Sequence, residues 1–390
     1  MTVKAPQFHV DIVQASALAE RDVAAWSAIQ QAQPAFRSPL LSPHFARAVG
    51  RVRDDARVAV VRRDGSDGLD EPVAFFAFHR RPGGFGRPLA APFSDYHGVV
   101  SVPGSGLEPG QIIGLAGLKA FRHNGLIDPH GLFPTTGDEV EAFAIELNDT
   151  PDAYLEAVRA ASPKKFKNYR RLANRLAEVG PLTMRADTSQ SAFDDVMSWK
   201  SAQFVRTGIQ DVLRPTWVTE LMQSLFETTE GPMTGLLLSL YAGDTFVGGH
   251  FGVRENGVYH PWIASMSPEM AAYSPGQTFL DQAIRAMPEL GLTVYDLGVG
   301  HDHYKRPFAP TVDHVGAGFH TAAGGGLKRA EEAAWTLGPL GRSSAVAKVR
   351  RRLDHIATAD PSIRGRVHGL IEAVVATRRR SLGGEGGASE

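Results

Sequence analysis

The sequence predicts a mixed α/β protein with two tandem domains, and three observations carry this prediction. At 390 residues the chain is longer than one ordinary hydrophobic core supports. Strand and helix patterns alternate along it. The second half shows the order strand, strand, strand, helix, strand, and the first half shows a weaker version of that order. We therefore expect an internal duplication, with domains at 1–150 and 151–322 and a basic helical extension at 323–390.

The first half contains four recognisable patterns. Two β-rich runs at 56–63 and 72–81 flank a polar loop that contains Asp-Gly, which predicts a hairpin. Residues 110–125 have apolar residues at helical spacing and end in Asn-Gly, which predicts a helix. Residues 140–147 predict a strand that leads into the second half.

The second half is clearer. It begins with helix patterns, of which the one at 163–180 has a basic start and ends at a glycine. Strands are expected at 234–242, 245–253 and 258–265, because tight-turn residues separate three β-rich runs. A helix and a strand at 292–300 follow. This order predicts three antiparallel strands and a right-handed helical crossover to a parallel fourth strand.

Composition excludes several classes of protein. Hydrophobic residues make up 43% and charged residues 21%, as in soluble globular proteins. The formal net charge of −1 provides no global field that would attract nucleic acid. The absence of cysteine excludes disulfides, thiolate metal sites and cysteine nucleophiles, and it fits a reducing cytosol. We see no signal peptide and no apolar run of the about 20 residues that span a bilayer, so we expect a cytoplasmic protein.

The start of the helix after 258–265 is the first candidate binding motif. It consists of Tyr273, Ser274, Pro275, Gly276 and Gln277. Serine is a favourable N-cap and proline suits the first helical turn. A helix that starts at the end of a strand offers free N–H groups and a positive dipole end, which suit a pyrophosphate. An ordinary helix cap is the alternative, but the strand and helix order favours a binding site.

The end of the strand at 292–300 is the second candidate. Two glycines, two histidines and three further polar residues, Asp302, Tyr304 and Lys305, are concentrated there. Ligands of α/β folds bind at the carboxyl ends of strands, although a plain surface loop has a similar composition. His301 and His303 have no partner carboxylate at a suitable spacing, so we expect no metal ion.

Two helices carry polar faces that could bind a substrate. Lys200, Gln203 and Arg206 share one face at three- and four-residue spacing, and Asp211 follows them. Arg170 belongs to the basic helix, where arginines can hold phosphates by charge-assisted hydrogen bonds. A solvated helix face is the alternative for both sets.

His250 follows two glycines in the middle of a predicted strand. Glycines at such a place indicate the close approach of a ligand or of another backbone. A hydrogen-bonded core histidine is the alternative, and the sequence does not decide between them.

Together these motifs resemble the CelD-like acetyltransferase family associated with cellulose biosynthesis. This family is a branch of the GNAT superfamily and is related to the FemABX aminoacyl transferases. The residues that carry the resemblance are KKFKNYRRLANRL (164–176), WKSAQFVRTGIQD (199–211), VGGHFGV (247–253), YHPWIASMSPEMAAYSPGQTFL (259–280) and YDLGVGHDHYKRPF (295–308). RSPLLSPHFARAV (37–49) and SDYHG (94–98) extend it into the first half.

The resemblance implies two tandem GNAT-like domains and an acyl-CoA donor, which is acetyl-CoA or a longer acyl-CoA. The loop before the helix departs from the usual GNAT pyrophosphate loop, because Gly276 is its single glycine. The cofactor-binding residues are expected to be Ile263, Tyr273, Ser274, Gly276 and Gln277.

An acyl transfer needs a base, an oxyanion donor and an acid for the leaving thiolate. We expect direct transfer in a ternary complex, because the chain has no cysteine to form an acyl-enzyme. His250 and Asp302 are the candidate bases, and Tyr304 is the candidate acid. Backbone N–H groups near Ile263 would polarise the carbonyl, and Lys305 would bind a phosphate or carboxylate.

Three functions fit these observations. The first is acyl transfer from CoA to an amino or hydroxyl group of a small molecule or glycan, in polysaccharide or cell-envelope synthesis. The second is a FemABX-like transfer from aminoacyl-tRNA, which the near-zero net charge disfavours because RNA binding needs a broad basic surface. The third is a non-catalytic binding module of a polysaccharide synthase complex. We favour the first function and expect no nucleic-acid partner.

The last segment differs in composition from the rest. Residues 321–380 contain 12 Lys/Arg against 5 Asp/Glu, and apolar residues recur at helical spacing over 327–380. We expect a helical extension outside the catalytic core. Its apolar face would pack against the second domain, and the alternative is peripheral contact with the inner membrane or a synthase complex.

Overall fold

The computed structural model describes residues 8–63, 71–134, 138–207, 210–300, 305–310 and 312–322. The predicted helical extension after residue 322 lies outside these residues. Within them, no helix is long and apolar enough to cross a bilayer.

The described residues form thirteen strands and eight α-helices. The strands are β1 (Phe8–Gln14), β2 (Ala56–Arg63), β3 (Glu71–Arg81), β4 (Phe85–Pro88), β5 (Val99–Ser101), β6 (Ala120–Leu126), β7 (Asp138–Glu146), β8 (Leu182–Asp187), β9 (Met233–Ala242), β10 (Thr245–Glu255), β11 (Val258–Met266), β12 (Val294–Val299) and β13 (Val312–Thr321). The helices are α1 (Glu20–Ala32), α2 (Pro43–Val52), α3 (Gln111–Leu115), α4 (Pro151–Ala161), α5 (Pro163–Ala177), α6 (Gln190–Thr207), α7 (Thr216–Glu227) and α8 (Gly276–Ala286).

The strand, strand, strand, helix, strand unit of the second half is confirmed. β9, β10 and β11 pair antiparallel, α8 crosses over, and β12 pairs parallel with β11. The helix over 163–180 ends earlier than expected, at Ala177. The mixed α/β fold class is therefore as the sequence predicts.

In the first half, the hairpin is confirmed and the helix over 110–125 is largely wrong. β2 and β3 pair antiparallel as expected. The helix α3 stops at Leu115, and Gly117 then adopts a φ of +66°, which reverses the chain. Residues 120–126 instead form the strand β6. They do so because their backbone pairs with β13, which lies almost 200 residues away in the sequence. Local spacing contains no information about such a partner.

The strand order shows that the two halves share one sheet. It reads β1-β2-β3-β4-β6-β13-β7-β12-β11-β10-β9-β8, with β5 attached to β3. β13 comes from the end of the described chain but lies between β6 and β7. β7 comes from the first half but pairs with β12. Each half therefore gives its last strand to the other.

The same order repeats one topology in the two halves. Read from one edge, the sheet has β1, the antiparallel strands β2, β3 and β4, the parallel strand β6, and then β13 from the other half. Read from the opposite edge, it has β8, the antiparallel strands β9, β10 and β11, the parallel strand β12, and then β7 from the other half. The parallel step is β4 to β6 in the first half and β11 to β12 in the second, and each covers two residue pairs. A helix precedes each parallel strand, five residues long in α3 and eleven in α8.

The core is continuous across the two halves on one face of the sheet. Phe45 from α2 packs against Trp262 from β11, and Phe93 packs against Trp217 from α7. These contacts join side chains of the first half to side chains of the second. A separate core lies on the opposite face beneath α8, where Phe279 and Tyr295 are fully buried. The dense interior fixes the relation of the halves.

Phe143 tests how much the exchanged strand contributes to stability. It lies on β7, is 1% exposed and packs in the core beneath α8. Phe143→Ala should lower the free energy of unfolding by about 3–5 kcal/mol, because it leaves a cavity where the halves join. The matched control is Phe85→Ala on β4, where the side chain is 40% exposed and about 1 kcal/mol or less is expected. Urea unfolding measures both; equal losses would contradict the role of β7.

Candidate functional site

A gap between β11 and β12 is the main feature of the second half. The two strands pair only at Val258 with Val294 and at Tyr259 with Tyr295. Beyond this point β11 stays with β10, and β12 stays with β7. The inner edges of both strands therefore carry backbone groups without a strand partner. Such an edge can form hydrogen bonds to a bound ligand.

Two lysines flank this gap. Lys200 of α6 donates from Nζ to the Ala264 carbonyl oxygen of β11 at 3.3 Å. Lys305 donates from Nζ to the Val299 carbonyl oxygen of β12 at 3.1 Å. Counted from the Tyr259–Tyr295 pair, Ala264 lies five residues further along β11 and Val299 four residues further along β12. The structure thus brings together two predicted substrate-binding lysines from elements that the sequence treats separately.

The loop that carries Lys305 is described only in part. Lys305 itself is 5% exposed, so its ammonium group is held against the end of β12. The other two residues predicted in this loop, Asp302 and Tyr304, lie outside the described residues. Their assignment as catalytic groups remains a prediction.

The start of α8 differs in detail from the expected cap. Pro275 occupies the N-cap position and no side chain caps the helix, so the N-cap role of Ser274 is wrong. Ser274 instead has a φ of +48°, which turns the chain into the helix. A Cβ atom added to Gly276 would have no heavy atom within 4 Å. The first-turn N–H groups of α8 therefore face open space without a side-chain partner.

Other predicted donor residues lie around this helix start. Tyr273 packs beneath the guanidinium of Arg175, at 5.6 Å. The Oε1 atom of Gln277 is buried and has no hydrogen-bond partner among the residues that the structure describes. Ile263 is 1% exposed and its side chain packs in the shared core, so only its backbone is available to a ligand.

His250 lies in the core beneath α8. Its ring stacks on Phe279 with centroids 4.0 Å apart, and its Nδ1 atom is 2.6 Å from the Tyr295 hydroxyl. Burial and the nearby charge of Lys200 lower the pKa of His250 to about 3, so the imidazole is neutral. This is the hydrogen-bonded core environment that the sequence allowed as the alternative. A base of such low pKa would be weak.

The remaining predicted substrate residues are not assembled at the gap. Gln203 and Arg206 are exposed on α6, and Arg170 is exposed on α5. Asp211 accepts a hydrogen bond from the Ser201 hydroxyl and another from a backbone N–H two residues on. It therefore ties the loop after α6 to that helix, which is a structural contact.

A buried cluster of charged residues beside the gap was not predicted as a site. His260 of β11 is fully buried, with Nε2 3.5 Å from Asp95 Oδ2 and Nδ1 3.4 Å from Asp296 Oδ2. The Tyr96 hydroxyl donates to Asp296 Oδ1 at 2.9 Å. Asp95 and Tyr96 come from the first half, whereas His260 and Asp296 come from the second.

The electrostatics of this cluster favour an imidazolium. Burial alone would lower the pKa of His260, but the carboxylates of Asp296 and Asp95 outweigh burial and raise the pKa to about 9. Burial and the same two carboxylates raise the pKa of Tyr96 well above its ordinary value. The phenol therefore keeps its proton and donates a hydrogen bond to Asp296.

The sequence contained a signal for this cluster, although not for its assembly. Asp95 and Tyr96 belong to the SDYHG motif, His260 to the YHPW motif and Asp296 to the motif that ends at Lys305. All three motifs carried the family resemblance, yet no local spacing indicates that residues 200 positions apart would touch.

The corresponding gap in the first half, between β4 and β6, is closed. His97 occupies the place beside β6, where its N–H donates to the Gly125 carbonyl and its carbonyl accepts from the Ile127 N–H. A Cβ at Gly98 would lie 2.2 Å from the Ile127 carbonyl oxygen, so only glycine permits this approach. In the first half, a segment of the chain itself therefore fills the gap.

A separate cavity lies away from the gap. It has a volume of about 810 Å³ and lies between the end of α2, the end of β3 and α7. Arg53 forms two hydrogen bonds to Asp55 there and packs over Trp217. Because Arg53 is held by Asp55 and none of the predicted site residues lines this pocket, we take the β11–β12 gap as the candidate reaction site.

One family model matches part of the chain. Residues 163–306 match the family model of the acetyltransferase (GNAT) domain. The match includes α8, the gap, both lysines, His260 and Asp296. Asp95 and Tyr96 lie outside it. No curated protein is similar enough in sequence to count as a relative.

Solved structures match 81–82% of this chain. FemX covers 82% of this chain and 99% of its own, with a TM-score of 0.52 and 11% identity. A tandem GNAT protein from the clavulanic acid biosynthesis pathway covers 82% and 99%, with a TM-score of 0.43 and 10% identity. A C-terminal domain assigned to a lysylphosphatidylglycerol synthetase of Agrobacterium fabrum covers 81% and 96%, with a TM-score of 0.41 and 14% identity. The likeness to FemX shows a shared fold.

The raised pKa of His260 gives a pH-dependent stability. The stabilising charge is fully present below pH 6.5, the ordinary histidine value, and is lost as the pH rises through about 9. The free energy of unfolding should therefore fall over this range, by roughly 2–3 kcal/mol more in the wild type than in His260→Gln. Urea unfolding at several pH values measures this difference. His9→Gln, an exposed histidine, is the control and should follow the wild type; a parallel curve for His260→Gln would contradict the charged cluster.

Proposed function

We propose that the chain transfers an acyl group from an acyl-CoA thioester to an amino or hydroxyl acceptor, with the donor in the gap between β11 and β12. The observation that carries this proposal is the divergence of the two strands after Tyr259. A pantetheine-like chain can extend a sheet by hydrogen bonds to such an open edge. The match to the acetyltransferase (GNAT) domain supports acyl transfer as the reaction class.

The donor phosphates fit the start of α8. The uncapped N–H groups and the positive end of the helix dipole attract an anion, and the space at Gly276 admits it. The exposed cations of α5 border this point, because Arg175 packs on Tyr273 just before the helix. We propose that Arg170 and its neighbours contribute to the attraction of the phosphates.

The lysines at the gap fit the charge that develops during transfer. When the acceptor attacks the thioester carbonyl, negative charge appears first on the carbonyl oxygen and then on the leaving sulfur. Lys200 and Lys305 are fixed point charges on either side of the gap. We retain His250, Asp302 and Tyr304 as proposed proton-transfer groups, although the low pKa of His250 weakens its case.

The acceptor is proposed from the resemblance alone. The CelD-like family is associated with cellulose biosynthesis, so we propose an amino sugar or a glycan hydroxyl in polysaccharide or envelope synthesis. A cytoplasmic location and a peripheral contact of the basic extension with a membrane or synthase belong to the same proposal.

Aminoacyl transfer is the second candidate, because the fold is similar to that of FemX. Thiol release from acetyl-CoA and longer acyl-CoAs, with amino-sugar acceptors, distinguishes the candidates. We expect saturable release with at least one acyl-CoA. Transfer from aminoacyl-tRNA without any CoA turnover would favour the FemABX-like function, and no saturable binding of CoA would favour a non-catalytic binding module.

Gly276 provides a test of donor placement that is independent of the fold. Gly276→Glu should weaken acetyl-CoA binding at least about tenfold, because it places a negative charge where the phosphates are expected. It should not lower stability, because the added side chain meets open space and an acidic residue in the first turn suits the helix dipole. Calorimetric titration and thermal unfolding measure the two effects.

The matched control for this test is Gly276→Gln, which has nearly the same shape without the charge. It should weaken binding less than Gly276→Glu. Equal affinity of Gly276→Glu and the wild type would place the donor phosphates elsewhere.

A further inference from the structure

We propose that Asp95 is the general base of the acyl transfer and that His260 and Asp296 are positioning residues that hold it. This inference rests on the proposed function, and it assigns the base to a residue outside the part of the chain that matches the GNAT domain.

Asp95 lies where the acceptor must arrive. Its Oδ2 atom accepts the Val299 N–H at 3.2 Å, and the Val299 carbonyl oxygen accepts from Lys305. The carboxylate and the ammonium group thus meet the same residue at the end of β12. An acceptor that approaches the thioester in the gap would come within reach of both.

Asp95 is also the member of the buried cluster that reaches solvent. Its side chain is 29% exposed, whereas those of His260 and Asp296 are 0% and 9% exposed. Among the residues that the structure describes, its Oδ1 atom has no hydrogen-bond partner. One oxygen is therefore anchored to the strand and the other can take a proton.

The end of β12 is shaped around this carboxylate. Gly298 has a φ of +73°, and a Cβ added there would lie 2.0 Å from Asp95 Oδ2 and 3.2 Å from His260 Cε1. The strand therefore needs glycine at this position so that the carboxylate and the imidazole can approach its backbone. A simple surface aspartate would require no such accommodation.

The segment that carries Asp95 is held rigidly. His97 follows Asp95 by two residues. Its backbone forms hydrogen bonds to Gly125 and Ile127, the residues on either side of Leu126. A Cβ at Gly125 would lie 1.8 Å from the Asp95 carbonyl oxygen, so the two backbones are in direct contact. The segment that closes the gap of the first half thus presents the base to the gap of the second half.

His260 supports the role of Asp95 by its charge and position. The imidazolium lies between the two carboxylates at ion-pair distances of 3.5 and 3.4 Å, and its charge attracts both of them. Asp296 is fixed in turn by Tyr96 and by the Gly298 N–H. The charged groups around Asp95 are therefore His260, Asp296 and Lys305, with Arg37 acting on Asp296 from further away.

In the proposed step, Asp95 carries the proton of the acceptor to the leaving thiolate. The acceptor nitrogen or oxygen forms a bond to the thioester carbonyl carbon while its proton passes to Asp95 Oδ1. The carbon–sulfur bond then breaks, and the sulfur leaves as the thiolate of CoA. The proton on Asp95 neutralises this thiolate, directly or through water, so that Asp95 returns to its charged form.

The test compares wild type and Asp95→Asn by thiol release from acetyl-CoA, with glucosamine and with water as acceptors. The amide keeps an acceptor for the Val299 N–H but cannot take a proton. We expect Asp95→Asn to bind acetyl-CoA normally, to lose about 10²–10⁴-fold in kcat/KM and to lose the fall in rate at low pH. His260→Gln should lower kcat with little change in KM and should shift that acid limb.

Two further variants make the result decisive. Asp95→Glu keeps a carboxylate and should retain the acid limb at a reduced rate, which separates chemistry from folding if Asp95→Asn is unstable. Asp313→Asn, at a carboxylate that is 65% exposed nearby, should behave as the wild type. Activity of Asp95→Asn within about threefold of the wild type, or an Asp95→Glu variant without the acid limb, would overturn the inference. A wild type that releases no thiol would overturn the proposed donor and the inference with it.

Discussion

The pairing of β13 with β7 is the constraint on which the rest of the molecule depends. Each strand is given by one half to the other, so the backbone hydrogen bonds of both halves form one ladder. A sheet that continues through the junction cannot let the halves rotate without breaking these bonds. The loop that carries Asp95 and the strand that carries Asp296 are therefore held at a fixed distance, although they belong to different halves.

The buried His260 cluster makes use of this rigidity. Burial of a charged imidazole costs free energy unless groups of opposite charge lie close to it. Here one carboxylate comes from each half. The charge is therefore stabilised only when the halves are correctly joined, and the geometry beside the gap depends on the fit between them. This coupling gives a physical reason for the tandem arrangement.

The two halves share a topology but differ in what lies beside their parallel strands. In the first half, His97 fills the place next to β6 and α3 is a short turn. In the second half, no strand of the described residues pairs with the inner edge of β12 beyond Tyr295, where Asp95 and Lys305 bond to Val299 instead. The helix α8 is a full helix without a side-chain cap. The gap of the first half is therefore filled by the chain itself, whereas the gap of the second half is where we propose that the donor binds.

The sequence by itself determined the unit of β9 to β12, the helix start at Gly276 and the polar end of β12 with Lys305. These features follow from local turn residues, periodicity and strand ends, which act over a few positions. It did not determine the strand β6, the exchange of β7 and β13, or the meeting of Asp95 with His260. These depend on partners far away in the chain, up to 200 residues for Tyr96 and Asp296. Only the tertiary structure decides which distant backbone edges pair, because the free energy of pairing comes from burial and hydrogen bonds that no local pattern encodes.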